Sequence, residues 1–244
     1  MKKKSLNLLA LETSSSILSV ALKKGAGKTV EKRLKGFLRH AENLLPLMDR
    51  MLRKERLTCK DVDVFLIGRG PGSFTGLRIG FATLKALRVI QKKPCYGATS
   101  LDLIAARVPV REGAVLSVTL DARKEKIFSR TYLGKKGGWT ALNEARVLDF
   151  ASWADGLPEG VWIAGDILER FQKPLEERGV KFRALPSRYW TPSALPLIEG
   201  FEKKLPAAGI KKFLKKLNGP KDEIPLYFRL SEAEERRNHA ASNA

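Results

Sequence analysis

Apolar residues near the start of the chain occur in short runs separated by small and polar residues. The runs cover residues 6–11, 17–23 and 29–34, with a polar turn at residues 13–16 and a Gly-Ala-Gly turn at residues 25–27. Short runs bounded by such turns are typical of paired strands. The pattern predicts three strands joined as successive hairpins.

A different spacing follows, in which apolar residues recur every three or four positions. Between residues 44 and 52 they fall on one side of a helix, which predicts a helix over residues 42–54. Residues 62–68 are a short apolar run and predict a buried strand. Residues 77–91 are apolar nearly all round and predict a second helix that is buried or packs closely on another.

The rest of the chain alternates strand-like and helix-like segments. The predicted strands are residues 94–97, 115–120, 126–133, 161–164 and 181–185, and the predicted helices are residues 100–108, capped by Ser100, and 167–178. This alternation is typical of an α/β protein. The 244 residues can form two lobes, which we assign to residues 1–108 and 109–230, followed by a flexible tail at 231–244.

Charge is the unusual feature of the composition. The chain has 46 Lys and Arg against 26 Asp and Glu, a net charge of +20, and 22 basic against 8 acidic residues in the first 110 place +14 of it there. Such a charge attracts polyanions such as nucleic acid, although a basic habit of the whole proteome explains it equally well. Lys32, Arg33 and Lys35 are the candidate nucleic-acid contacts in this half.

The N-terminal Lys-rich start and its apolar run resemble a secretory signal only superficially. The run ends after six residues at Glu12, and a signal core needs roughly 7 to 15 apolar residues and a small-residue cleavage site. No stretch approaches the ~18 apolar residues of a membrane span. Cys59 and Cys95 have no metal-like spacing. We therefore expect a cytoplasmic protein with reduced thiols, no metal site and no membrane contact.

Two loops in the first half contain residue types that can bind phosphate. The first is the turn with Thr13, Ser14 and Ser15, and the second is the glycine-rich loop after the predicted strand 62–68, with Gly70, Gly72, Ser73, Thr75 and Gly76. Glycines permit close backbone approach, and a helix N-terminus offers free amides to an anion. The loop lacks the Walker and Rossmann spacings. A tight structural turn is therefore the leading alternative for the glycine-rich loop. Asp121, in the first hairpin of the second lobe, is a further candidate for a nucleotide contact, and a surface ion pair is the leading alternative for it.

Histidine is nearly absent, since only His40 and His239 occur. A zinc site built on two histidines and a Ser-His-Asp triad are both hard to assemble from them. We expect no catalytic residue in this chain and interpret His40, just before the first predicted helix, as a capping or partner-contact residue.

Several motifs together resemble the TsaB (YeaZ) family, a relative of the TsaD/glycoprotease proteins. They are LALETS at residues 9–14 with SVAL at 19–22, HAENLLP at 40–46, GRGPGSFTGLRIG at 68–80, LDAR at 120–123 and PLYFR at 225–229. The third motif is long and specific. The matches are dense over residues 6–125 and sparse afterwards, and Glu12 stands where the family often has Asp.

The resemblance implies an actin-like (acetate-kinase/sugar-kinase/Hsp70/actin, ribonuclease H-like) fold with two lobes. It also implies a non-catalytic subunit that works with TsaD and the ATPase TsaE to form the threonylcarbamoyl group on the tRNA adenosine 3′ of the anticodon. The catalytic metal and histidine pair then belong to TsaD. No cofactor is expected to bind tightly, and ATP is expected only in the assembled complex.

The two predicted helices are the expected contact surface for TsaD, or for a second copy of the chain when TsaD is missing. The expected contact residues are His40, Leu44, Leu47, Met48, Met51, Leu77, Phe81 and Leu84. On that interpretation, Met51→Glu, alone or with Leu84→Glu, blocks pairing without unfolding the chain. The alternative function is a stand-alone small-molecule kinase or ATPase of the same fold, which needs an acid or base placed for phosphate transfer.

Overall fold

The computed structural model describes residues 5–36, 39–206, 208–217 and 224–226. Two mixed β-sheets, each with helices packed against it, make up these residues. The first part of the chain contains β1 (Leu8–Glu12), β2 (Ile17–Lys23), β3 (Thr29–Lys35), α1 (His40–Lys54), β4 (Val64–Gly68), α2 (Phe74–Gln91), β5 (Cys95–Ala98) and α3 (Ser100–Ala105).

The second part of the chain is richer in short elements. It contains β6 (Val115–Asp121), β7 (Lys126–Lys135), β8 (Gly138–Ala141), β9 (Arg146–Asp149), α4 (Phe150–Asp155), β10 (Val161–Ala164), α5 (Leu168–Glu177), β11 (Phe182–Ala184), α6 (Leu195–Lys204) and α7 (Ile210–Lys216).

The two sheets share one topology, except that the second has a sixth strand, β9, which pairs antiparallel with β7. The first has the order β3-β2-β1-β4-β5, in which β1 pairs antiparallel with β2 and parallel with β4. The second has the order β11-β10-β6-β7-β8, in which β6 pairs antiparallel with β7 and parallel with β10. Each sheet is thus a hairpin meander extended by two parallel strands on the far side of its first strand. This duplicated order is the one expected of the actin-like fold, so the predicted fold class is confirmed.

Strand β1 is buried on both faces, which explains its continuous apolar run. On one face, Leu9 and Leu11 lie in a core cluster with the inner sides of α1 and α2. On the other face, Leu8 and Ala10 lie in a cluster with α6, including Phe201. A strand covered on both sides has no polar face, so alternation is lost.

Helix α6 follows the second sheet in the chain but packs on the first. Its contacts reach β1, β2, β3, β4 and β5, and Phe201 packs against Phe213 of α7, with ring centroids 6.1 Å apart and the rings tilted by 44°. The predicted division at residue 108 therefore does not separate the two cores, because residues 195–217 complete the first one.

Within the described part of the chain, none of the helices is long and apolar enough to cross a bilayer. The tail predicted at residues 231–244 lies outside the described residues.

Candidate functional site

The hydroxyl-rich turn after β1 and the glycine-rich loop after β4 pack directly on each other. The backbone N–H of Ser73 donates to the carbonyl of Ser14 at 2.6 Å. A Cβ added at Gly72 would overlap that Ser14 carbonyl, and one at Gly76 would overlap the carbonyl of Thr13. These two glycines are needed because the two backbones approach too closely for a side chain.

Glu12 ends β1 in the same place and is fully buried. Its Oε1 accepts from the backbone N–H of Ser14 at 2.7 Å, and its Oε2 lies 3.5 Å from the Ser100 hydroxyl. Burial raises the pKa of Glu12, while hydrogen bonds from Ser14 and Ser100 act in the opposite direction. Gly68 is required beside it, since a Cβ there would overlap the Glu12 carboxyl.

The Ser100 hydroxyl contacts Ser14 and Glu12, so the prediction that Ser100 caps α3 is wrong. Its hydroxyl lies 2.8 Å from that of Ser14. The cap is instead Thr99, whose side chain accepts from the N–H of Asp102. The one-residue shift arises because Thr99 is extended while Ser100 already has helical geometry.

The two loops do not fit a phosphate group in this arrangement. The amides of Ser14, Ser73 and Gly76 already donate to atoms of the chain, the last of them to the Ser73 hydroxyl at 3.1 Å. The Thr13 hydroxyl is buried, and no partner for it is found among the described residues. The side chain buried beside the two loops is the Glu12 carboxyl, which supplies no positive charge to an anion. The two loops therefore form an internal contact in which each packs against the other.

The outer part of the glycine-rich loop meets the end of the described chain. The N–H of Leu226 donates to the carbonyl of Arg69 at 2.8 Å, and Arg69 Nε donates to the carbonyl of Ile224 at 3.2 Å. The Leu226 carbonyl also lies against Gly70. Thr75 is exposed in the first turn of α2. Residues 224–226 thus cover Gly70, a contact that sequence spacing did not reveal.

A second carboxylate site lies at the ends of β6 and β10 in the other sheet. Asp121 Oδ1 accepts from the N–H of Arg123 at 2.7 Å, and the N–H of Asp121 donates to Asp166 Oδ1 at 2.9 Å. Burial, with the nearby Asp121 carboxylate, raises the pKa of Asp166 to about 6 despite that hydrogen bond.

Sequence reasoning identified Asp121 but missed Asp166. The available signal was an Asp two residues after a buried strand, together with the rule that neighbouring parallel strands end at one edge of a sheet. Arg123, Lys124 and Glu125 in this turn all have positive φ, between 48° and 64°. Among the described residues, no three His, Cys, Asp or Glu side chains are grouped closely enough to hold a metal ion.

The side chains expected at a partner interface lie in the core, and that expectation is corrected. Leu44, Leu47, Met48, Met51, Leu77, Phe81 and Leu84 all belong to the cluster between α1, α2 and the first sheet. His40 is also buried, with Nδ1 3.0 Å from the Gly36 carbonyl and Nε2 3.0 Å from the Ser15 carbonyl. The helical spacing was read correctly, but it marks the face that covers the chain's own sheet.

The outer sides of the same two helices carry exposed apolar residues that were not among the expected contact residues. Leu45 of α1 is 55% exposed, and Val89 and Ile90 of α2 are 69% and 71% exposed. Ala82 and Ala86 on α2 are exposed as well. Large exposed apolar side chains on paired helices are candidates for a contact with another protein.

The three basic residues chosen as nucleic-acid contacts do not form one patch. They alternate along β3, so Lys32 lies on the face opposite Arg33 and Lys35. Arg33 is only partly exposed and donates through Nη2 to the Thr191 hydroxyl at 2.8 Å. Arg33 therefore serves an internal contact, while Lys32 and Lys35 are exposed.

Beside Arg33, Glu31 anchors the start of α6 to the first sheet. Its Oε1 accepts from the hydroxyls of Ser19 and Ser193 and from the backbone N–H groups of Ala194 and Leu195. Carboxylates are stabilised at helix N-termini, where amides lack intrahelical partners.

Desolvation, together with the neighbouring Arg33, lowers the pKa of Arg107, which donates to the Thr191 carbonyl at 2.7 Å.

The duplicated sheet order and the interlocked strand-end loops define a two-lobed α/β protein of the actin-like class. The family model described as "TsaD: tRNA N6-adenosine threonylcarbamoyltransferase" matches residues 35–178. A solved Pseudomonas aeruginosa structure described as similar to peptidase YEAZ superposes with a TM-score of 0.70 at 23% identity, covering 92% of this chain and 100% of that one.

Two sequence relatives each align with half of the chain or more. The tRNA threonylcarbamoyladenosine biosynthesis protein TsaB of Haemophilus influenzae is 33% identical over 124 residues, covering 50% of this chain and 52% of that protein. A Mycobacterium bovis protein is 33% identical over 150 residues, covering 58% and 67%. The match thus spans about half the length of the Haemophilus relative. The chain belongs to the family that the TsaD model describes, and it is similar to the TsaB (YeaZ) proteins.

Proposed function

We propose that this chain is a non-catalytic subunit that works with a TsaD-type catalytic subunit and a TsaE-type ATPase. Together they form the threonylcarbamoyl group on the tRNA adenosine 3′ of the anticodon. The observation that carries the proposal is the family match over residues 35–178, combined with strand-end loops that pack on each other. A subunit whose loops are closed by its own backbone is suited to a scaffold.

The outer face of α1 and α2 is the surface proposed for the TsaD-type partner. Leu45, Val89 and Ile90 offer exposed apolar area there. Ala82 and Ala86 are small enough to let a partner helix approach closely. A second copy of this chain is the proposed occupant when the partner is absent. Because the buried sides of both helices complete the core, partner binding on the outer face leaves the fold unchanged.

The strand-end carboxylates support a structural role and give no support to phosphate transfer. Glu12 is enclosed by Ser14, Ser100 and Gly68, which leaves it without access to a substrate. We propose that the chain binds no cofactor tightly and that ATP is used by the assembled complex. We also propose that the chain contacts tRNA as part of that complex, in the cytoplasm.

The test is reconstitution with the same organism's TsaD-type and TsaE-type proteins. Gel filtration should give a stoichiometric complex with the TsaD-type subunit, and modified adenosine should form only when all three proteins are present. The isolated chain, given the threonylcarbamoyl adenylate and tRNA, should form none. Modification by the chain alone at a rate near that of the full system would refute the scaffold role.

A further inference from the structure

The C-terminal helices of the first lobe carry the densest positive charge in the described chain. Residues 203–217 contain six lysines and no acidic residue. They are Lys203 and Lys204 at the end of α6 and Lys211, Lys212, Lys215 and Lys216 on α7, and all six are exposed. We call these six side chains the lysine ridge.

Packing forces the α7 lysines outward. Phe213 and Leu214 of α7, with Ile210 and Leu217, pack on the cluster that covers the first sheet. Lysines at 211, 212, 215 and 216 occupy the remaining helix surface, which faces solvent. The ridge is therefore a fixed feature of the fold, because turning it inward would expose the apolar side of α7.

Exposed basic residues in and beside α5, by contrast, are paired with carboxylates. On α5, Lys173 lies 3.9 Å from Glu177, and Arg170 and Arg178 each contact a carboxylate, those of Glu125 and Asp155. In the described residues no carboxylate lies within ion-pair distance of the lysine ridge; Lys204 donates instead to the Tyr96 hydroxyl. Uncompensated like charges on one short helix repel each other. An external anion relieves that repulsion.

The spacing of the ridge suits a nucleic-acid backbone. At 1.5 Å rise per residue, the four α7 lysines cover roughly 7.5 Å of helix axis. A double-stranded nucleic acid carries one charge per about 1.7 Å of its axis, or about four phosphates over that length.

We propose that the lysine ridge is a phosphate-contact surface for the tRNA on which the assembled complex acts. The inference rests on the proposed function, which names tRNA as the substrate. It moves the expected RNA contact from β3, where the basic residues point to opposite faces, to the far side of α6 and α7.

The test compares two variants with the same change in net charge. The ridge variant carries Lys→Gln at positions 211, 212, 215 and 216, since glutamine retains helix propensity. The control carries Lys→Gln at Lys135, Lys136, Lys173 and Lys181, which are exposed on the second lobe. Affinity for tRNA is measured by fluorescence anisotropy over a range of KCl concentrations, with the chain alone and in the complex with the TsaD-type subunit.

The ridge variant should bind tRNA at least roughly tenfold more weakly at low salt, with a salt slope smaller by about three to four, one for each lost phosphate contact. The control should bind nearly as wild type does. Equal losses in both variants, or no loss in the ridge variant, would overturn the proposal.

Three further measurements make these outcomes unambiguous. Circular dichroism detects a misfolded ridge variant, in which case Lys215→Gln with Lys216→Gln is used, with half the expected slope change. Vesicles of phosphatidylserine and phosphatidylcholine test the other polyanion, and ridge-dependent binding to vesicles without binding to tRNA would refute the RNA assignment. Gel filtration with the TsaD-type subunit tests the proposed function separately, because the ridge lies apart from α1 and α2.

Discussion

Glutamate placed at position 51 and at position 90 should have opposite consequences, although both positions lie on the helices proposed to face the partner. Met51 is 6% exposed and lies in the core cluster, whereas Ile90 is 71% exposed. Removing the Met51 side chain from the core loses roughly 1.5 to 3 kcal/mol. Burying a carboxylate without a partner adds about 3 kcal/mol or more.

The Met51→Glu protein should therefore lose about 5 kcal/mol, a large part of the 5 to 15 kcal/mol that stabilises a typical domain. In a chain of this size, about 1 kcal/mol shifts the Tm by roughly 2 to 4 °C, so a drop of about 10 to 20 °C is expected. Burial raises the pKa of the introduced carboxyl above its unfolded value. The loss of stability should consequently be larger at pH 8 than at pH 4, where the carboxyl is protonated in the folded state and mostly protonated in the unfolded state.

Ile90→Glu should change the free energy of unfolding by less than about 1 kcal/mol, because an exposed substitution near a helix end disturbs little. It should weaken binding to the TsaD-type subunit more than tenfold, through lost apolar burial and an unpaired carboxylate in the contact. Thermal melts by circular dichroism and gel filtration with the partner measure both effects. A stable, folded Met51→Glu protein would refute the core assignment, and an Ile90→Glu protein that still forms the full complex would refute the outer-face assignment.

Three other substitutions test the interior. Asp166→Asn should raise the Tm at pH 8 and have little effect near pH 4. With a pKa of about 6, wild-type Asp166 costs the folded protein up to roughly 3 kcal/mol of stability as the pH rises from about 4 to 6, because the carboxylate becomes charged while buried. Equal Tm differences at both pH values would contradict this. Glu31→Gln should lower the free energy of unfolding by about 2 kcal/mol, because charge-assisted hydrogen bonds at the α6 N-terminus are lost. Urea unfolding measures this change, and an unchanged midpoint would show that α6 is held by packing alone. Gly76→Ala should lower the free energy of unfolding by about 1 to 3 kcal/mol, because its Cβ meets the Thr13 carbonyl. The control Gly200→Ala, which has open space around it in α6, should be neutral or stabilising. Similar effects of the two substitutions would argue against the close approach of the loops.

The order of strands and helices could be predicted where periodicity was strong. The bounds of β2 (Ile17–Lys23) and β10 (Val161–Ala164) were predicted correctly, and α2 began three residues earlier than expected, at Phe74. The short elements β8, β9 and α4 were missed, because their four to six residues mix apolar with polar or small residues and form neither a clear period nor the continuous apolar run seen in β10.

The candidate site shows the limit of the same reasoning. Helical spacing identified Met51 and Leu84 as one apolar face but could not say whether the chain's own sheet or a partner covers it. The glycine-rich loop was correctly placed between a strand and a helix, yet only three-dimensional proximity reveals that Gly72 and Gly76 accommodate the turn at Thr13 and Ser14. Long-range contacts of this kind leave no local pattern.

The return of α6 to the first sheet has a consequence for synthesis of the protein. One face of β1 is covered only when residues 195–204 have been made, long after β5 ends at Ala98. At about 5 to 20 residues per second, the intervening stretch of roughly 100 residues takes about 5 to 20 s to translate. During that interval the nascent first lobe exposes apolar side chains such as Leu8 and Ala10. The first lobe therefore cannot reach its native state before residues 195–204 have been made.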